Sequence, residues 1–100
     1  MDVNSVEEIK LLWEKRNKLD GIHKALRKVK EELAELTVAI SHLEDGKSCR
    51  FKVMDEIVDV QLQLERLMVI FNETKYQEFY VKQRKKKYEW IDSITGDINV

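Results

Sequence analysis

Apolar residues recur at helical spacing along two long segments of the chain, and this pattern predicts two helices. In both segments the apolar positions alternate between steps of three and four residues, which places them on one face of a helix. They are Ile22, Leu26, Val29, Leu33, Leu36, Ile40 and Leu43 in the first segment and Val53, Ile57, Val60, Leu64, Leu67 and Phe71 in the second. Gly46 lies between the segments and predicts a short turn, so the two helices should pack antiparallel.

Weaker patterns at the two ends of the chain predict two more helices. A short amphipathic segment indicates a helix over about residues 5–18, with Ser5 as its N-cap. Asp20 is expected to cap the start of the helix that follows. A last helix over about residues 74–92 carries aromatic side chains among many lysines, and residues 93–100 are expected to fray.

The scarcity of turn-forming residues agrees with a helical fold. The 100 residues include no proline and only three glycines, whereas a sheet-rich domain of this size needs many tight turns. We therefore predict one all-α domain of about four helices over residues 1–100. The central helices also carry apolar residues off their main stripes, namely Val38, Met54, Val58, Leu62 and Val69. We expect a second subunit to cover this additional face, which gives an oligomer of the four-helix-bundle type.

Charge and cysteine content narrow the functional class. Eighteen basic and nineteen acidic residues give a net charge of −1, whereas a general polyanion-binding protein is normally clearly basic. Cys49 is the only cysteine, so no intrachain disulfide can form, which fits a reducing cytoplasm. The N-terminal residues lack the features of a signal peptide, and the longest apolar run, residues 67–71, is far shorter than a membrane span. The sequence thus predicts a cytoplasmic protein without a membrane partner.

Acidic residues on the two central helices form the most informative pattern. The first helix carries Glu31, Glu32 and Glu35, and the second carries Glu56 and Asp59. Residues three apart on a helix are surface neighbours, so these like charges repel unless a cation lies between them. In an antiparallel pair the acids should converge on one side of the helices. In a chain that is 37% charged, such pairs also arise as ordinary solvated surface residues.

A site built only from carboxylate oxygens has a restricted choice of metal. It suits Mg²⁺, or alternatively Mn²⁺, and does not suit zinc, which prefers nitrogen and sulfur ligands. Mg²⁺ keeps several waters and shares its coordination shell with substrate phosphates. The chemistry expected of such a site is metal-assisted attack of water on a phosphoryl group.

The same acids resemble the signature of a known family. Glu31-Glu32-Leu33-Ala34-Glu35, followed after twenty residues by Glu56-Ile57-Val58-Asp59, resembles the EExxE…ExxD signature of the MazG-like all-α nucleoside triphosphate pyrophosphohydrolases. That superfamily includes dimeric dUTPases, dCTP pyrophosphatases and phosphoribosyl-ATP pyrophosphatases. The motif core falls within residues 22–71, and the helical layout extends the likeness over about residues 20–90.

The resemblance implies an activity and a set of ligands. The expected reaction is hydrolysis between the α- and β-phosphates of a nucleoside triphosphate, which releases a monophosphate and pyrophosphate. Glu32, Glu35, Glu56 and Asp59 match the family's Mg²⁺ ligands, and Glu31 matches an additional acid that acts in the outer shell or orients water. Family members work as homodimers or homotetramers.

Other candidate residues are less specific. Relatives bring a C-terminal Lys or Arg to the triphosphate, so the resemblance assigns phosphate binding to a group of basic residues, Lys82, Arg84, Lys85 and Lys86. The same cluster also fits a solvated helix face or a nucleic-acid patch. Trp13 and His23 precede the motif, where relatives place base-contacting residues. Each also fits a structural role, Trp13 in the core and His23 on the surface or in a cap.

Two alternative functions remain open on the sequence. A phosphoribosyl-ATP pyrophosphatase shares the acidic signature, but the serine-tyrosine-threonine stretch usual in those enzymes is absent before Lys28. A non-catalytic helical interaction module could use the Lys82–Lys87 cluster to bind nucleic acid, a partner that the overall charge disfavours. The identity of the nucleotide substrate is not encoded in the motif, because base recognition depends on pocket shape.

Overall fold

The regular structure of the protein is entirely helical. The computed structural model describes residues 5–96, which contain four helices and no strand. They are α1 (Val6–Asp20), α2 (Ile22–Glu44), α3 (Arg50–Ile70) and α4 (Thr74–Thr95). This confirms the all-α class and the number of helices. The chain divides after Ile70 into a unit that holds α1 to α3 and a unit that holds α4.

Capping explains where the first two helices begin and end. Ser5 caps α1 as expected, since its hydroxyl accepts a hydrogen bond from the Glu8 amide at 3.3 Å. The expectation that Asp20 caps α2 is wrong, because Asp20 is the last residue of α1 and Gly21 takes the N-cap position. Gly21 has φ of 77°, a left-handed conformation that side chains disfavour, and its carbonyl accepts from the Ala25 amide at 3.1 Å.

The turn at Gly46 returns α3 along α2. The Gly46 amide donates to the Leu43 carbonyl at 3.1 Å, and the Lys47 amide donates to the His42 carbonyl at 2.8 Å. These two bonds and the φ of 72° at Gly46 form a Schellman motif, which ends α2 where the sequence predicted. Because the connection to Arg50 is short, α2 and α3 are neighbours that run antiparallel.

The faces that α2 and α3 turn toward each other are rotated about the helix axes, relative to the apolar stripes that the sequence predicted. The buried apolar residues of the described chain are Ala25, Val29, Ala39 and Val60, and the buried polar residues are Glu32, Glu56 and Arg66. On α2 the stripe residues Leu33 and Ile40 are 43% and 48% exposed, although they were expected to face α3. The rotation brings Glu32 and Glu56 into the interface itself, whereas the sequence placed them along its flank.

Helix α4 is described by itself. It extends to Thr95, three residues beyond the predicted end, and residues 97–100 of the predicted frayed tail lie outside the described chain. Its side chains are exposed apart from Gln77 and Gln83, which are half-buried. Among residues 5–96, no helix has the length and apolar character to cross a membrane.

Candidate metal centre

Carboxylates from α2 and α3 converge as the antiparallel packing predicted. Glu32, Glu35 and Glu56 each place an oxygen within 4.8 Å of the other two. A second group, formed by Asp55, Glu56 and Asp59, meets the same distance limit, so Glu56 belongs to both. The four predicted ligands therefore lie in two clusters that share Glu56, and the second cluster also contains Asp55, a residue that the sequence pattern did not single out.

Two of these carboxylates are buried without full hydrogen bonding. Glu32 and Glu56 are only 7% and 5% exposed. The Oε2 atom of each receives no hydrogen bond from the described residues. A buried carboxylate oxygen without a partner is unfavourable, so these atoms are suited to bind an ordered water or a cation.

Each buried glutamate is bound through its other oxygen by a lysine four residues earlier. Lys28 Nζ lies 3.0 Å from Glu32 Oε1, and Lys52 Nζ lies 2.7 Å from Glu56 Oε1. Both contacts follow from i, i+4 spacing on a helix, although the role of these lysines was not predicted from the sequence. Glu31 is exposed and lies 3.7 Å from Lys28 Nζ, outside both clusters of converging oxygens.

The electrostatics of the clusters favour an added cation. The neighbouring carboxylate of Glu32 raises the pKa of Glu35, with smaller contributions from burial and from Glu56. Burial raises the pKa of Asp59, and the charges of Glu32, Asp55 and Glu56 add to this effect. At Glu35 and Asp59, burial and the neighbouring carboxylates together thus outweigh the effect of the lysine charges of Lys28 and Lys52.

The residues present fit a hard divalent cation. All of the donors are carboxylate oxygens, the ligand type that Mg²⁺ and Mn²⁺ prefer. Oxygens bound to one Mg²⁺ lie about 3.0 Å apart when adjacent and about 4.2 Å apart when opposite, so oxygens within 4.8 Å of one another could share one ion after side-chain rotation. Glu32 and Glu56 Oε2 are the atoms best suited to the first bonds, because they are buried and have no hydrogen-bond partner among the described residues.

The remaining sequence candidates are not members of these clusters. Trp13 is half-buried and lines a cleft between α1, α2 and α3, with the Arg66 guanidinium 5.3 Å from its ring centroid. His23 is exposed in the first turn of α2 and is not among the residues that line that cleft. The basic residues of α4, Lys82, Arg84, Lys85 and Lys86, are exposed within the second unit.

A buried ion pair that was not predicted from the sequence supports the floor of the cleft. Arg66 is 2% exposed and binds the carboxylate of Asp20 through Nη2, while its Nε donates to Asn17 Oδ1 at 2.6 Å. Arg66 holds the pKa of Asp20 below its usual range, with further help from Arg16 and Lys24. The available signal was the polar stripe on α3, where Glu56, Asp59, Gln63 and Arg66 follow helical spacing.

Comparison with known proteins adds no family assignment. No protein-family model matches the chain, and no match is found among curated proteins or solved structures. The acidic motif and the geometry of the carboxylate clusters are therefore the features that point to a function.

Proposed function

We propose that the protein is a Mg²⁺-dependent nucleotide pyrophosphohydrolase of the MazG-like type. It would cleave a nucleoside triphosphate between the α- and β-phosphates, giving a monophosphate and pyrophosphate. The observation that carries the proposal is the convergence of Glu32, Glu35 and Glu56, in which two buried carboxylates keep an oxygen without a partner among the described residues. Solvated surface acids, the alternative explanation of the motif, would not be buried in this way.

The roles of the acidic residues rest on the resemblance and on the convergence of their oxygens. Glu32, Glu35, Glu56 and Asp59 would hold the cation, or Mn²⁺ in its place. When bound, Mg²⁺ neutralises phosphate charge and makes a coordinated water a stronger nucleophile. Glu31 is exposed beside Lys28, a position that suits an outer-shell role in orienting water.

Substrate contacts outside the acidic residues are part of the proposal. Trp13, half-buried at the cleft, is the better placed of the two base-contact candidates, and His23 is exposed. Phosphate binding by Lys82, Arg84, Lys85 and Lys86 rests on the resemblance. Within α4, Arg84 lies over the Tyr88 ring at 4.8 Å and Lys85 Nζ lies 3.9 Å from Glu89, so two of these cations already have partners on their own helix.

The exposed apolar residues support a homodimer or homotetramer. Leu26, Leu33 and Ile40 lie on one face of α2 and are 38–48% exposed. The second face expected on α3 is exposed as well, since Met54, Val58 and Leu62 are 42–56% accessible. Large apolar faces of this kind mark subunit interfaces. Light scattering on the purified chain checks this part, and a monomer at micromolar concentration contradicts it.

The cellular location is also proposed. Cys49 is exposed and is the only cysteine, and a free exposed thiol is most compatible with a reducing compartment. We therefore place the protein in the cytoplasm.

A screen of nucleoside triphosphates tests the activity. The chain is incubated with each nucleotide and Mg²⁺, and monophosphate and pyrophosphate are separated by chromatography. Glu32→Gln and Asp59→Asn should each lower turnover by at least about a hundredfold. Glu65→Gln, which changes an exposed acid on the same α3 helix, should leave turnover unchanged.

The same screen separates the alternatives. Turnover of phosphoribosyl-ATP alone would indicate the more specialised pyrophosphatase. Loss of a nucleic-acid complex on substitution of Lys82 and Lys86, with no effect of the acids and no turnover of any nucleotide, would indicate the interaction module. Circular dichroism of each variant shows that the helical fold is retained.

A further inference from the structure

A cleft between α1, α2 and α3 lies next to the carboxylate clusters. Its volume is about 360 Å³, within the usual range of roughly 300–1,000 Å³ for small-ligand sites. All three helices contribute to its walls, through Trp13, Arg16, Asp20, Lys24, Arg27, Lys28, Glu31, Gln63 and Arg66. Lys28 also binds Glu32, so one side chain joins the cleft to the clusters.

The charge of the cleft is opposite to that of the clusters. Five of its nine lining residues are cationic and two are anionic, and with Glu32, the partner of Lys28 outside the lining, counted as well, two positive charges remain in excess. A concave surface with this excess attracts anions.

The acids of the cleft do not neutralise this charge. Asp20 alone is shared by three cations, with Arg16 Nε at 3.0 Å, Lys24 Nζ at 3.5 Å and Arg66 in direct contact. Arg27 forms no ion pair with another described residue. Lys24 and Arg27 are therefore the cations with the most capacity for an added ligand.

An unsatisfied amide in the cleft gives an independent indication of a ligand. Gln63 lines the cleft, and its Oε1 is buried without a hydrogen-bond partner among the described residues. Buried polar atoms of this kind bind ordered water or a ligand. Rotation of the amide would present its NH₂ group in the same place, which allows it to donate to an anion.

We propose that the cleft binds the phosphate groups of a small ligand, through Lys24, Arg27 and Lys28, without a metal ion. Lysine and arginine donate charge-assisted hydrogen bonds that suit phosphoryl oxygens. Asp20, which is bound by the buried Arg66, also lies 3.5 Å from Lys24 Nζ, so this cation is held at the cleft. This binding does not require the proposed hydrolase activity.

The tryptophan in the cleft provides a direct measurement. The chain has two tryptophans, so Trp90→Phe leaves Trp13 as the only one. Inorganic pyrophosphate is titrated into this variant in the presence of EDTA, and Trp13 emission is followed. The affinity is measured in parallel by calorimetry, which does not depend on a change in emission. We expect saturable binding in both measurements.

A matched pair of double variants locates the site. Lys24→Gln with Arg27→Gln should weaken pyrophosphate binding by about tenfold or more, because two charge-assisted contacts are removed. Lys10→Gln with Lys15→Gln removes the same charge from exposed positions on α1 and should change the affinity less than about twofold.

Three outcomes would overturn the proposal. The first is no binding of pyrophosphate to the folded protein in EDTA. The second is equal affinity in the two double variants, or a loss of binding that follows Lys82→Gln with Lys86→Gln instead. The third is binding of an unphosphorylated nucleoside as tightly as its monophosphate, which would assign recognition to the base. Because no arm measures hydrolysis, failure here is distinguishable from failure of the proposed activity.

Discussion

Glu32 on α2 and Glu56 on α3 meet in the buried interface between the two helices, and each carries an oxygen without a hydrogen-bond partner among residues 5–96. The lysine four residues earlier binds the other oxygen in both cases, at 3.0 Å and 2.7 Å. One lysine for each glutamate still leaves the exposed acids Glu35 and Asp55 nearby. Burying carboxylates with too few cations is unfavourable for folding. A cluster of oxygens that is kept despite this cost is typical of a ligand site.

Neutralising Glu35 should have opposite effects on folding and on metal binding. The neighbouring carboxylate of Glu32 raises the pKa of Glu35 and so disfavours its charged form, and Glu35→Gln should therefore raise the midpoint of thermal unfolding in EDTA. The same variant loses one proposed ligand, so its affinity for Mg²⁺ should fall by about tenfold or more. Differential scanning calorimetry with and without Mg²⁺ measures both effects.

Glu65→Gln is the control for this pair of effects, because Glu65 is exposed on α3 and belongs to neither carboxylate cluster. It should alter neither the midpoint in EDTA nor the rise on adding Mg²⁺. If Glu35→Gln lowers the midpoint in EDTA, or leaves the Mg²⁺ effect intact, the electrostatic description of the cluster is wrong.

The Asp20–Arg66 pair should stabilise the first unit strongly. Asp20→Asn leaves the buried guanidinium without its counter-charge and should lower the midpoint of thermal unfolding by more than about 5 °C. Asp45→Asn, an exposed change just after α2, should shift it by less than about 2 °C. Equal shifts in the two variants would show that the pair contributes little.

This pair also predicts a pH dependence. Arg66 lowers the pKa of Asp20 in the fold, so the stabilising contribution is present above the usual Asp range and is lost as the pH falls through the lowered value. The difference in unfolding free energy between the natural chain and Asp20→Asn should therefore shrink on acidification. Urea unfolding at about pH 7 and about pH 3 measures it, and a constant difference argues against the ion pair.

The Gly46 turn should tolerate asparagine better than alanine. No atom lies within 4 Å of the position that a Cβ would take at Gly46, so a substitution there is opposed by its φ of 72° and not by crowding. Gly46→Ala should lower the unfolding free energy by about 1 kcal/mol, and Gly46→Asn by less, because asparagine adopts the left-handed region more readily. Chemical denaturation measures both values, and the reverse order would contradict the turn geometry.

The sequence predicted the helices well because their determinants are local. Step patterns of three and four defined α2 and α3, and Ser5 and Gly46 marked ends that the structure confirms. Asp20 was misassigned because an aspartate just before a helix is usually its N-cap. Its actual partner, Arg66, is 46 residues away in the chain. A pattern of neighbouring residues cannot reveal a contact between residues so far apart in the chain.

The candidate site could be predicted only in part. Antiparallel packing was enough to bring the acids of α2 and α3 together, but not to place Glu32 and Glu56 inside the interface. Small residues set that placement, since Ala25 and Ala39 lie on the buried face of α2 while Leu33 and Ile40 remain exposed. The helical pattern was defined by large apolar residues, so the predicted interface was a stripe rotated away from the acids.

Phosphorus NMR of a nucleoside triphosphate mixed with the protein and Mg²⁺ tests the central claim most directly. The spectrum distinguishes pyrophosphate and nucleoside monophosphate from orthophosphate and diphosphate. We predict that pyrophosphate and monophosphate resonances appear together for at least one nucleotide, that orthophosphate does not form, and that EDTA abolishes the change. Unchanged nucleotides with folded protein and Mg²⁺ present, or release of orthophosphate, would contradict the proposed activity.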